Sequence, residues 1–157
     1  MKRPTLLGHP LHPLMVHAPI GGLVAATAFQ LLGLVGLPAN EPARWALWFG
    51  LAGAVLAIGT GLVDLLAAPS GPVVERRLFQ HLGAMIGAVS CYGAASVVQA
   101  PAATLVLHLI GLALLLAGGW AGGELVYGHG VGTPNPLGEE PCTSRRSPAP
   151  AERSSSR

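Results

Sequence analysis

Four long apolar runs dominate the chain, near residues 14–36, 44–67, 79–99 and 103–127. Each has about 20 residues or more, the length a helix needs to cross a hydrocarbon core of roughly 30 Å. Lipid offers no partners for backbone N–H and C=O groups, so a segment that crosses it must satisfy them internally. The gaps are short and punctuated by proline and glycine: Leu37-Pro38-Ala39-Asn40-Glu41-Pro42, Ala68-Pro69-Ser70-Gly71-Pro72 and Ala100-Pro101. Short connections favour antiparallel neighbours. The expected fold is all-α: an integral membrane four-helix bundle, up-down-up-down, over residues 1–132. A polar tail rich in Ser, Pro, Arg and Glu, residues 133–157, reads as disordered. Charged residues make up only 10% of the 157, against about a quarter in a typical soluble domain, so lipid is the expected solvent.

The first run has a basic start, Lys2 and Arg3, and an Ala26-Thr27-Ala28 that mimics a cleavage site. A secretory signal carries about 7–15 unbroken apolar residues. Here His12, His17 and Pro19 interrupt the run, which reads as a retained span. Lys2, Arg3, Arg76, Arg77, Arg145, Arg146, Arg153 and Arg157 fall on one side of such a bundle and Arg44 on the other. The positive-inside rule then places both termini in the cytoplasm, with the bacterial inner membrane as the expected location.

This topology puts one ionisable side chain per span close to the cytoplasmic boundary. His17 and His81 lie near the starts of spans one and three, Asp64 and Glu124 near the ends of spans two and four. At 1.5 Å rise per residue all four sit roughly 5 Å inside. Carboxylates are unwelcome at helix C-termini and imidazolium at N-termini. Neutral His17 and His81 could therefore ligate a metal while Asp64 and Glu124 orient their rings. Ordinary hydrogen-bonded pairs tying the helices together satisfy the same pattern. His108 lies near the opposite face and suits an interfacial or interhelical hydrogen bond.

His9, His12 and Ala18 each precede a proline, which biases them toward extended backbone. The stretch from Gly8 to Pro13 is expected to be extended, of polyproline II type. It would form a collar bearing His9 and His12 as headgroup-level anchors, with His17 pointing in beneath it. His129 follows the last span and could cap its C-terminus. The pairs Gly83/Gly87, Gly118/Gly122 and Gly119/Gly123 have the small-xxx-small spacing that lets helices approach closely, within the bundle or across a homo-oligomer face.

Several chemistries lack support. Cys91 lies in an apolar run and Cys142 in the tail, which does not suggest a disulfide framework, and no C-x-x-C-H motif for covalent haem occurs. There is no phosphate-cradling G-x-x-x-x-G-K-[ST] loop and no Ser/His/Asp arrangement in a motif context. The few basic residues sit in loops and tail, so no nucleic-acid partner is expected.

His9 to Ile20 reads H-P-x-H-P-x-x-V-H-x-P-I and Gly119 to Val131 reads G-x-x-G-G-E-L-V-Y-x-H-G-V. Together these resemble the two marks of a widespread bacterial family of small four-span membrane proteins of unknown function, over roughly residues 8–132. The chain departs from that pattern at Met85, where the family usually has Asn four residues after the histidine, and at Ala18, where Phe is more usual. Some members are fused to Rieske iron–sulfur domains, which implies redox company and an electron-transfer partner of Rieske type. Three functions are expected from the polar layer. One is a b-type haem or other redox module with His17 and His81 as ligands. Another is a proton or small-solute pathway, or a helper subunit. The third is a non-redox metal site of two histidines and two carboxylates.

Overall fold

A computed structural model describes residues 5–6, 9–66 and 71–131, with side chains from Leu11 onward. The ring of His9 and the expected tail lie outside those residues. Thr5–Leu6 (β1) pairs antiparallel with His9–Pro10 (β2). Five α-helices follow: α1 (Leu11–Met15), α2 (His17–Leu34), α3 (Asn40–Leu66), α4 (Pro72–Ala95) and α5 (Pro101–Gly123), the last running into a π-helical turn, Glu124–Gly128.

The expected extended collar reaches only to Pro10. Helix begins at Leu11 and takes in His12 and Pro13, because a proline in a first turn removes no helical hydrogen bond. The α1 and α2 helices are nearly continuous: the Val16 N–H donates to His12 O (3.1 Å) and the Ile20 N–H to Val16 O (3.1 Å). The interruption falls at Val16, where Pro19 has no N–H to give to the carbonyl of Met15. Proline also opens α4 and α5, and Gly36 turns the chain after α2 with φ +84°, a conformation that favours glycine.

Three segments are long and apolar enough to cross a membrane: Leu11–Leu34, Asn40–Leu66 and Pro101–Gly128. The helix over the expected span at 79–99 has other bounds. It starts at Pro72 and ends at Ala95, so it includes Glu75, Arg76 and Arg77. By composition α4 is less apolar than the other three, although it is as long as a span needs to be.

The helices pair as two antiparallel hairpins. Along α2 and α3, Gly22 meets Gly50 and Pro19 meets Gly53, while His12 of α1 meets Gly61. Along α4 and α5, Tyr92 meets Gly111, Leu114 meets Gly87, Met85 meets Gly118 and His81 meets Gly122. The two hairpins share a core of Leu23, Ala26, Leu47, Ala88, Tyr92 and Leu115. Outward faces remain apolar: only 22–28% of the most hydrophobic stretch of each spanning segment is buried. Of the glycine pairs singled out by spacing, Gly118/Gly122 lies wholly at a helix contact. In Gly83/Gly87 only Gly87 does, and Gly119 and Gly123 face open space.

Candidate functional site

The ionisable layer resolves into two histidine docks. His12 Nδ1 lies 2.9 Å from Ala57 O, with its ring over Gly61. His81 Nδ1 lies 2.8 Å from Gly118 O, with its ring over Gly122. In each case the glycine follows the accepting residue by four, so carbonyl and gap share one helix face. A carbonyl can only accept, so Nδ1 carries a proton in both rings, and in a neutral imidazole Nε2 is then the lone-pair nitrogen. Thr60 Oγ1 stands 3.4 Å from His12 Nδ1 while donating to Leu56 O and Ala57 O.

His12 therefore takes the inward place expected of His17. The ring of His17 is exposed and, among the described residues, bonds within its own chain segment, Nδ1 to Leu14 O at 3.2 Å. Nor do the carboxylates orient the docked histidines. Glu124 Oε2 pairs with Arg77 Nε at 2.6 Å, both side chains about one-third exposed. Arg77 also donates to Gln80 Oε1 (3.0 Å) and lies over the Trp120 ring at 5.0 Å, fastening α4 to the end of α5. Asp64 is half-buried and makes no ion pair or hydrogen bond among the described residues. His129 is exposed and caps through its backbone N–H, which donates to Val126 O. The end is closed by Gly130 at φ +65° and by the Val131 N–H donating to Leu125 O at 2.9 Å. Among the described residues no three His, Cys, Asp or Glu side chains gather into a metal-binding group. Cys91 is a free thiol, and Cys142 lies outside the described residues.

The most deeply buried polar group lies toward the other end. Thr27 and His108 are fully buried, as is Tyr92. The Thr27 hydroxyl donates to Leu23 O (3.1 Å) and meets Tyr92 Oη at 2.8 Å and His108 Nδ1 at 3.3 Å. The Tyr92 and His108 rings stand edge to face, centroids 5.2 Å apart. Three helices from both hairpins meet at this one threonine oxygen, and His108 is the interhelical hydrogen bonder expected of it. Neither Thr27 nor Tyr92 carries a formal charge, so charge does not mark them in the sequence. Depth could have found them: Thr27 and His108 each lie about two turns from the Leu34/Pro101 end.

No curated protein and no solved structure matches the chain. Residues 8–135 match the family described as "Predicted membrane protein (DUF2231)", a range that contains both histidine docks, the Arg77–Glu124 pair and the buried threonine. Three helical segments long and apolar enough to cross a membrane fit that description, and the chain belongs to this family.

Proposed function

We propose that the protein is a helper subunit of the bacterial inner membrane, an up-down-up-down bundle with both termini cytoplasmic. The observation that carries this reading is how the polar side chains are engaged. His12, His81, Arg77 and Glu124 each tie one helix to its hairpin partner, and Thr27, Tyr92 and His108 tie the hairpins to each other. Between the two polar ends lies an apolar layer including Leu23, Ala88 and Leu115, which speaks against a continuous proton or solute pathway. What the bundle offers outward is a broad apolar surface including Trp45, Phe49 and Trp120, suited to lipid and to other membrane helices. Extracted from its own membranes in mild detergent, the chain is expected to migrate in a complex well above the mass it shows after purification alone. Purified and placed in liposomes, it is expected to leave an imposed pH gradient intact. A lone chain in both preparations, or a dissipated gradient, overturns the reading.

A second reading has one observation in its favour. Nδ1–H donation to a backbone carbonyl is the arrangement that presents Nε2 to a metal, and His12 and His81 both have it. A b-type haem or other redox module would then use His12 in place of His17 as the partner of His81, with a Rieske-type protein as its electron-transfer partner. A Soret band in protein expressed with haem supplied, lost in His12→Ala and His81→Ala, would establish it. Metal analysis of the same preparation separates it from a non-redox metal site.

A further inference from the structure

The end of the bundle that carries Leu34, Asn40, Ala95 and Pro101 holds one buried atom that helix tying leaves unused, His108 Nε2. Thr27 has one hydroxyl proton, and it goes to Leu23 O. With that proton on Leu23 O, the oxygen accepts from Tyr92 O–H and from His108 Nδ1–H. This is the tautomer in which His108 Nε2 carries a lone pair and no proton. This Nε2 is fully buried and has no partner among the described residues. A buried acceptor without a donor loses the full free energy of its hydration, so a donor from outside the chain would be held firmly.

A route for such a donor is at hand. A cleft of about 290 Å³ opens at this end, lined among others by Gln30, Asn40, Arg44, Ser96 and Thr104. Its lining lies one helical turn from the buried group on each of three helices. Gln30 follows Thr27 by one turn, Ala95 follows Tyr92 by one turn, and Thr104 precedes His108 by one turn, so each pair shares a helix face. The hydroxyls of Ser96 and Thr104 already donate to Gly93 O (2.6 Å) and to Val98 O and Ala100 O (both 3.1 Å), which leaves their oxygens free to accept. A water occupies about 30 Å³ in the liquid, so the cleft has room for several. On the far side of the group, Leu23, Ala88 and Leu115 close the bundle.

We propose that this cleft is a blind water inlet ending at His108, whose Nε2 is the binding site for one small neutral hydrogen-bond donor, water itself. The site goes beyond the helper-subunit reading, since tying helices together needs no inlet. The test is hydrogen–deuterium exchange at the imidazole C2–H, read by mass spectrometry of peptides from protein incubated in liposomes in D₂O. His108 is expected to exchange within about 10-fold of the exposed His17 and His129, as a site open to water without unfolding should. Thr104→Trp, which fills the cleft, is expected to slow His108 more than about 10-fold and leave His17 and His129 unchanged. If that variant fails to fold, Gln30→Leu takes its place, with an unaltered rate at His81 as the check on the fold. A His108 that stays protiated while His17 and His129 exchange fully overturns the proposal. So does a His108 that exchanges equally fast with the cleft filled.

Discussion

The two hairpins are held by different kinds of contact. In α2–α3 the backbones themselves touch: a side chain carbon added at Gly22 would lie 2.7 Å from Gly50 Cα and N. In α4–α5 the glycines receive side chains instead, Leu114 at Gly87, Tyr92 at Gly111 and His81 at Gly122. The first hairpin brings backbone atoms within 3.0 Å of a carbon added at Gly22, Gly50 or Gly53, alongside the side chains of Leu23 and Pro19. The second is set by side chains that can rotate. Both nevertheless build the same histidine dock, ring Nδ1 on a carbonyl with a glycine one turn on. The dock therefore depends on helix spacing and a gap, and not on how the rest of the pair is packed.

The sharpest test of this contrast is Gly22→Leu against Gly87→Ala. The first forces backbone from backbone and is expected to destabilise by about 3 kcal/mol or more, at the upper end of overpacking. The second meets a single methyl, Leu114 Cδ1 at 3.0 Å, and is expected to fall below about 1 kcal/mol. Unfolding of the detergent-solubilised protein by added SDS measures both, and equal losses would abolish the distinction between the hairpins.

Next in size is the pin that joins them. Thr27→Val keeps the volume but strands the Tyr92 and His108 donors, and is expected to lose about 1–3 kcal/mol. Tyr92→Phe removes one of those donors, so the double variant should lose less than the sum of the singles. Strict additivity in the same unfolding assay would mean that the three groups do not act together.

The docks come third. His12→Ala and His81→Ala should each remove an interhelical bond worth about 0.6 kcal/mol, at most about 1.7. A much larger loss at one of them would show that this ring does more than tie helices. The smallest effect belongs to Glu124→Gln. The Arg77 pair is about one-third exposed, so about 1 kcal/mol or less is expected. Repeating the measurement at high salt, which screens exposed pairs, should shrink the difference further, and a salt-independent loss would mark the pair as buried in the membrane-bound protein.

Much of the fold was legible in sequence because lipid leaves a backbone so few options. The four helices lie close to the four apolar runs, and Pro72 and Pro101 open helices as prolines do. The register of α4 was not legible from hydropathy, because Glu75, Arg76 and Arg77 are helical without being apolar. The contacts of the expected site residues were less legible than their depth. His12 and His17 are five residues apart, which at about 100° per residue puts them roughly 140° apart around the helix. Once the helix starts at Leu11 and His12 faces α3, His17 must face away. The layer seen in sequence was a matter of depth, which spacing along a helix sets directly. Rotation about the axis is set by what packs beside it.

That division holds for the whole molecule. The amino-acid order alone determined that the chain is helical and where along each helix the polar groups lie, because those properties follow from local rise and from the cost of bare backbone in lipid. Tertiary structure alone decided which imidazole turns inward, that Arg77 and not a histidine meets Glu124, and that residues 27, 92 and 108 share one oxygen. Those outcomes depend on glycine gaps in a neighbouring helix, at positions 61, 111 and 122, as much as on the residues that fill them. No reading of one segment contains the face presented by the next.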